Sequence, residues 1–549
     1  MLGKITFPIG EKISATVRLD YRTRRGEAIG FDSTVHYGKD DKSEAKINTY
    51  YLQDQNPLLN RTSLPRGAIP TGRYRYSVEN RTKLTENLEV TADITKLSDG
   101  FILQDFFPSE FRVDPRPDNN VAATYTQDNY TLTAYARYQL NPFFETTERL
   151  PEVDLDIKRQ ELFHTGIFYE GESSAAQLER NFPTNSPFTD YSAFRVDTFH
   201  QLTYPRTYFG WLSVVPRFGL RETYYSETRD LGPNFNASSD PLAPVYPLPN
   251  PGFNPTNGQN LPLVLTGDTF RTVFNAGLEA SFKISREWEQ VQTRTLGFDG
   301  LRHIIQPYTN FSYVPNPSEN PLSILQFDRA QPSTKLKPID FPQYTSIDSI
   351  DNWTIARLGV RNRLQTRRDD LTVSWLELDT YFDVNIDNPF DRTQFSNVFN
   401  KLTFTPVPWA TLVVDSQLPL LDDGFTEVDT SIRFQPTSNT QFTVGHRYLN
   451  NNPFFLNSSL YTIGGYYRIN DNWGVGAYGV YEAETNIVEQ QRYSIYRDLT
   501  SWVASVGAIV ANNGSVKEYG VLLTFTLKAF PKFNFDLNFD PSGTNDSNP

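Results

Sequence analysis

Apolar and polar residues alternate along most of this chain. From Leu88 the apolar Leu88, Val90, Ala92 and Ile94 interleave with Glu89, Thr91, Asp93 and Thr95, the period of a strand whose two faces meet different surroundings. Tyr130, Leu132, Ala134, Ala136 and Tyr138 repeat the pattern after a Gln127-Asp128-Asn129 break that follows Ala123 and Tyr125, which predicts a hairpin. Another is expected where Val428, Thr430, Ile432 and Phe434 pass through Thr437-Ser438-Asn439 into Phe442, Val444 and Tyr448. Near the end, Trp502, Ala504, Val506, Ala508 and Val510 lead through Asn512-Asn513-Gly514 into Tyr519, Val521, Leu523, Phe525 and Leu527, and Asn-Gly favours a tight turn. No window of helix length carries a 3.6-residue stripe; the nearest, Ser173 to Arg180, is a polar stretch of about two turns. The chain is expected to be all-β.

Connection lengths sharpen this. Short breaks such as Thr85-Glu86-Asn87 and Asn470-Asp471-Asn472 alternate with long Pro/Asn-rich ones, Pro233 to Pro262 and Pro315 to Asp348. Compact soluble domains seldom hold such loops, whereas outer-membrane barrels pair short periplasmic turns with long external loops. Aromatic pairs at expected strand ends, among them Tyr50-Tyr51, Phe106-Phe107, Phe143-Phe144 and Tyr224-Tyr225, suit interfacial girdles. At about 20–24 residues per spanning strand and connection, 549 residues supply an antiparallel transmembrane barrel of about 24–26 strands. Stacked β-sandwiches are the alternative, but no linker or domain-scale repeat supports them.

Composition agrees. Hydrophobic residues make up only 38% of the chain, with no run of the ~20 apolar residues that a spanning helix needs, while a barrel needs an apolar residue only at every second position. Aromatics at 14% are too many for a disordered chain. A net charge of -13 lacks the basic footprint of nucleic-acid binding. With no cysteine, disulfides and thiol chemistry are excluded. His36, His164, His200, His303 and His446 lack metal-site spacing, and acidic pairs such as Asp40-Asp41 sit in turn contexts. His200 and His446 lie in expected strands beside Thr198 and Thr443, an arrangement that some barrel hydrolases use, but no catalytic, metal or cofactor site is expected. Residues 1–30 hold Lys4, Glu11, Lys12, Arg18 and Asp20 and no apolar run of signal-peptide length.

Several segments resemble the C-terminal barrel of the LptD family, the lipopolysaccharide-assembly (organic solvent tolerance) proteins of the outer membrane. The most specific are GLRHIIQPYTNFSYVP, from Gly300 to Pro315, and SIDSIDNWTIARLGVRNRL, from Ser346 to Leu364. Weaker matches are YRTRRG (Tyr21 to Gly26), RLPEVDLDI (Arg149 to Ile157), INDNWGVGAYGVY (Ile469 to Tyr481) and YGVLLTFTLKAFP (Tyr519 to Pro531). The resemblance implies a translocon that inserts lipopolysaccharide into the outer leaflet, head group through the lumen and lipid through a lateral gate. It also implies an LptE-like plug lipoprotein, an LptA-like periplasmic bridge that docks through an N-terminal jellyroll, insertion by the barrel-assembly machinery, and outer-membrane lipids as surroundings. The jellyroll and the family's first barrel strand are not among these 549 residues, so the chain is expected to be the barrel fragment, residues 1–530, with a tail over 531–549.

Lateral release needs a seam with few ladder hydrogen bonds, and proline cannot donate one. The expected gate joins Ile5, Phe7 and Pro8 to Tyr519, Val521, Leu523, Phe525 and Leu527. The basic residues Arg22, Arg24 and Arg25, and Arg361, Arg363, Arg367 and Arg368, suit a lumen lining that faces phosphates, and solvated strand ends explain them equally. A porin or receptor barrel for small solutes is the alternative, though neither a constriction loop with opposed charge ladders nor a plug domain is evident.

Overall fold

A computed structural model describes all residues except 1, 60, 62, 108–109, 112–113, 185, 187, 231–263, 294–296, 329–332, 343–345, 369–370, 390–392, 421–423, 453–455, 500, 513–516, 528–533 and 539–549. Among the described residues, 28 strands share one antiparallel sheet. Two of them, Arg206–Tyr208 and Ile284–Thr293, prolong the preceding strand past a short break, so 26 staves form the wall. Each pairs with its neighbour in sequence, and the strand Leu2–Ile9 pairs with Asn534–Asn538 to close the ring. Closure removes the sheet edges that neither water nor lipid could satisfy.

The expected hairpins are present as Asn120–Thr126 with Tyr130–Arg137 and as Glu427–Thr437 with Thr440–Leu449. The strand Leu88–Leu97 lies where the alternation placed it. In the last hairpin, Trp502–Asn512 pairs with Lys517–Leu527, and Asn513-Gly514 lies outside the described residues. So does the loop from Pro233 to Pro262. Because neighbouring staves are antiparallel, the long connections 55–71, 98–119, 226–268 and 315–352 all leave one end of the barrel. The short ones, such as 84–87, 127–129, 438–439 and 471–472, leave the other.

Alternation fixes what each face meets. On Tyr191–Thr203 the lumen side carries buried Arg195, Asp197 and Gln201, while Phe194, Val196 and Leu202 point outward and are exposed. The aromatic pairs therefore do not form girdles as pairs, because neighbours in a strand face opposite ways. Tyr50 is 3% exposed inside and Tyr51 43% outside. Phe106-Phe107 is not at the interface at all: it ends the five-residue helix Ile102–Phe106, inside the lumen against Tyr50, Leu52 and Leu97, with Phe143 and Phe144 packed on the same cluster.

The stretch after residue 530, expected as a tail, supplies the strand Asn534–Asn538, which pairs with Lys517–Leu527 on one side and Leu2–Ile9 on the other.

Candidate functional site

Two connections from the long-loop end turn back into the lumen, and buried ion pairs hold them there. The first is 315–352, which joins the paired strands Phe298–Val314 and Trp353–Arg368. Its anchor is Asp348, fully buried, inside the sequence SIDSID. Asp348 Oδ1 accepts from Arg195 Nη1 at 2.9 Å and from Tyr225 Oη at 2.9 Å. Its Oδ2 accepts the backbone amides of Phe327 and Asp328 at 2.9 and 3.0 Å. Arg195 also donates to Asp328 at 2.6 Å, and Arg149 reaches the same carboxylate. Burial alone would raise the Asp328 pKa, but Arg195 and Arg149 outweigh it and hold the carboxyl below its usual range.

Carbonyls of the segment are met as well. Arg180 Nη1 and Tyr191 Oη donate to the Gln326 carbonyl at 2.7 and 2.6 Å, and Arg271 donates to those of Ile347, at 3.0 Å, and Ile350. Leu325 and Phe327 pack on Ala176, Leu178 and Tyr191, while Ile339 and Ile350 pack on Val273, Val314 and Trp353. This is a packed insert whose buried Asp348 carboxylate and Gln326, Ile347 and Ile350 carbonyls are all met by donors.

The second insert runs from Ser98 through the helix Ile102–Phe106. Arg73, fully buried, donates to Asp99 at 2.8 and 3.0 Å, to Asp54 at 3.1 Å and to Asp105 at 2.7 Å. Arg25 adds a bond to Asp54 at 2.9 Å, and the Phe106 ring faces the guanidinium groups of Arg22, Arg25 and Arg73. Of this basic run, Arg25 is thus matched by Asp54 at the end of the strand Ser43–Asp54 and by Asp105 of the lumen helix, 3.7 Å away.

The second basic cluster also meets acids. Arg357, Arg361 and Arg363 lie directly opposite Asp383, Asp379 and Glu377 on the next strand and pair with them at 2.7, 3.4 and 3.1 Å. Arg357 is largely covered, whereas about half of each of the other two side chains is exposed, so the ladder opens toward the short-turn end. Tyr308 lies under Arg361 and donates to Asp379 at 3.1 Å. Arg368 turns away to carbonyls of Thr405 and Pro406. From Ala410–Leu418 onward the wall is less covered, and Arg433 and Arg468 are exposed.

The expected gate residues fall on both sides of the closing strand. Ile5 pairs with Phe535; among the described residues the ladder runs from Leu2↔Asn538 to Thr6↔Asn534, and the positions that would face Phe7 and Pro8 lie outside them. Tyr519, Val521, Leu523, Phe525 and Leu527 are not beside the first strand; Asn534–Asn538 intervenes. Ile5, Tyr519, Val521 and Phe525 are exposed, as outward residues of a lipid-facing seam would be. The anchors Asp348, Asp328, Arg195 and Arg73 were not singled out from the sequence. The only local signal was the SIDSID motif around Asp348.

A closed antiparallel ring with apolar residues outward, charged pairs inward and long connections at one end defines an outer-membrane β-barrel. The family model described as LptD, LPS transport system D, matches residues 71–473, most of the chain, and the chain belongs to that family. It is an outer-membrane barrel of lipopolysaccharide transport. No curated protein matches it. Among solved structures, similar chains include the ferric enterobactin receptor PfeA in complex with BCV-L6, at 9% identity over 87% of this chain and 74% of that one, with a TM-score of 0.27. The alcaligin receptor FauA of Bordetella pertussis gives 9% identity over 97% and 76%, TM-score 0.26. The siderophore receptor PirA of Acinetobacter baumannii gives 8% over 98% and 80%, TM-score 0.26. Superpositions this loose transfer no property to the chain.

Proposed function

We propose that the chain inserts lipopolysaccharide into the outer leaflet, passing the head group through the lumen and releasing the acyl chains sideways where Leu2–Ile9 meets Asn534–Asn538. The observation that carries this reading is the length of the ladders there. Among the described residues the closing strand has five registered pairs on each side, against eleven between Trp502–Asn512 and Lys517–Leu527. The next thinnest joints, Leu88–Leu97 with Asn120–Thr126 and Leu371–Asp387 with Val398–Val407, have six. At roughly 0.5–1.5 kcal/mol net per hydrogen bond, the described ladders are weakest at the closing strand, which supports parting there. The less covered half of the lumen adjoins that seam, so a head group there has a short path to the exit. Pro8, on the strand that forms one wall of the seam, has no N–H to donate to a neighbouring strand.

By the same reading a plug lipoprotein occupies the open half of the lumen, a periplasmic bridge delivers the substrate, and the barrel-assembly machinery inserts the wall.

The absence of cysteine makes the test clean. An Ile5→Cys/Phe535→Cys pair, opposite in register, locks the seam on oxidation and is expected to stop lipopolysaccharide reaching the surface, with recovery on reduction. A Val17→Cys/Phe31→Cys pair between two permanent staves is expected to have no effect. Export through an oxidised 5–535 lock would overturn the proposal. Pro8→Ala is expected to slow export by restoring a backbone donor on the seam strand.

A further inference from the structure

The outer wall carries one feature that lumen transport does not use. On the strands Phe168–Asn181 and Tyr191–Thr203, four polar side chains form a hydrogen-bonded chain. Ser173 Oγ lies 2.8 Å from Thr198 Oγ1, Thr198 Oγ1 lies 3.0 Å from His200 Nε2, and His200 Nδ1 lies 2.7 Å from Tyr169 Oη. Register permits this: Ser173 faces Thr198 and Gly171 faces His200. A Cβ on Gly171 would stand 2.8 Å from Tyr169 Oη, so only glycine leaves room for the phenol to lean across and stack on the imidazole.

All four residues point away from the lumen. Thr198 and His200 share the outward face of their strand with the exposed Phe194, Val196 and Leu202, whereas Arg195, Asp197 and Gln201 between them are buried inside. Toward the short-turn end the same stave reaches the exposed aromatics Tyr208, Phe209 and Trp211. Next in the row, Glu222 faces Thr198 and accepts a 2.8 Å bond from Thr272 Oγ1. The chain of four therefore sits within an apolar belt, where polar and ionisable groups are costly and mark function more often than not.

Counting donors shows what is missing. Three hydroxyls and a neutral imidazole hold four donor hydrogens, and three hydrogen bonds consume three of them. Every arrangement leaves one O–H, that of Tyr169, Ser173 or Thr198, without an acceptor inside the chain of four, and hydrocarbon supplies no water to receive it. An oxygen acceptor in that place can come from the membrane's own lipids.

We propose that Tyr169, Ser173, Thr198 and His200 form an exterior lipid-binding site that takes the carbonyl oxygen of an acyl ester or amide. It lies outside the lumen path and stands independently of the seam. The carbonyl can belong to a phosphoglyceride or to lipid A, and the experiment separates the two. The full chain is reconstituted in vesicles of diester phosphatidylcholine, of its diether analogue, which lacks the carbonyls, or of diester phosphatidylcholine containing lipid A. It is then extracted and stripped in detergent, and the retained lipid is counted by native mass spectrometry. One neutral hydrogen bond predicts roughly two- to twelvefold greater retention of diester than of diether lipid. Selective retention of lipid A from the mixed vesicles assigns the site to the glycolipid, and retention in proportion to the mixture assigns it to acyl linkages in general.

The comparison protein replaces the chain of four by apolar residues, Tyr169→Phe, Ser173→Ala, Thr198→Val and His200→Leu. These substitutions suit a lipid-facing wall, and the variant is checked for a folded, heat-modifiable barrel. It is expected to hold diester and diether lipids alike. Equal retention of the two lipids by the unaltered protein, or an undiminished diester preference in the apolar variant, would overturn the proposal.

Discussion

Asp348→Ala is the most informative single change in the lumen. Asp348 is fully buried and receives four bonds, from Arg195, Tyr225 and the amides of Phe327 and Asp328. Its loss leaves Arg195 with Asp328 as its remaining carboxylate partner and two backbone amides without theirs. Breaking a buried ion pair by removing one partner costs about 3–5 kcal/mol, and each orphaned donor roughly 1–3 kcal/mol more. Relaxation and water entering the emptied site reduce the sum, so about 5 kcal/mol against docking of 315–352 is a fair expectation. At 1.4 kcal/mol per tenfold, that shifts the opening equilibrium of the segment by roughly three orders of magnitude or more. Hydrogen exchange of the amides from Ile324 to Asp328 measures it directly, and ion conductance in planar bilayers reports the enlarged lumen. Arg195→Met in the same background should be partly compensatory, because it removes a guanidinium left with one of its two carboxylates, so the double variant should cost roughly 2 kcal/mol less than the sum of the singles. Unchanged exchange and conductance in Asp348→Ala, or strict additivity with Arg195→Met, would refute the view that this cluster is the latch.

Three further outcomes are expected. The Asp328 carboxyl is held below its usual range, so its stabilisation of the insert is present above the ordinary carboxylate value of roughly 3.9 and is lost as pH falls from there through the folded value; the protection factors of the same amides, with the pH-dependent intrinsic rate divided out, should be flat from neutral pH to about 5 and fall in stronger acid. Gly359→Val would put a Cβ 2.3 Å from the Tyr308 ring, displace the phenol from Asp379 and lower the temperature of heat-modifiable unfolding. Removing the ring as well, with Tyr308→Ala, should restore much of the loss. Asp379→Asn should weaken the Arg361 pair by less than about 1 kcal/mol, because that pair is half exposed, leaving barrel stability unchanged by the same assay.

The wall was readable in the sequence because each stave is a local statement. Alternation such as Leu88 to Thr95 places strand and face together, and the unequal connections place the two ends. The contents of the lumen were not readable in this way. The helix Ile102–Phe106 is five residues long, too short to show a 3.6-residue stripe, and its Phe106-Phe107 looked like a girdle pair. Arg195 and Asp348 are 153 residues apart, and nothing near either says that the other exists. The strand Asn534–Asn538 offers just Phe535 and Leu537 as an alternating pair, too little to stand out from a polar terminus. The motif stretches did better, since SIDSID holds the anchor and the following strand holds Gly359, the close-approach residue beneath Tyr308.

The insert between Phe298–Val314 and Trp353–Arg368 also constrains the order in which the molecule can be made. Arg195 and Arg271 belong to staves that precede the insert in the chain, and their partners arrive only after Gly300 has been placed. If the early staves curled into a tube first, their guanidinium groups would face a shut interior with no counter-charge, and a loop of this length would have to be threaded into it. Assembly is easier if the growing sheet stays open and wet on its concave side until residues 315–352 have settled against it, with the terminal strand added last. A wall whose final stave is only five residues long suits such a sequence, since little has to be zipped once the inside is full.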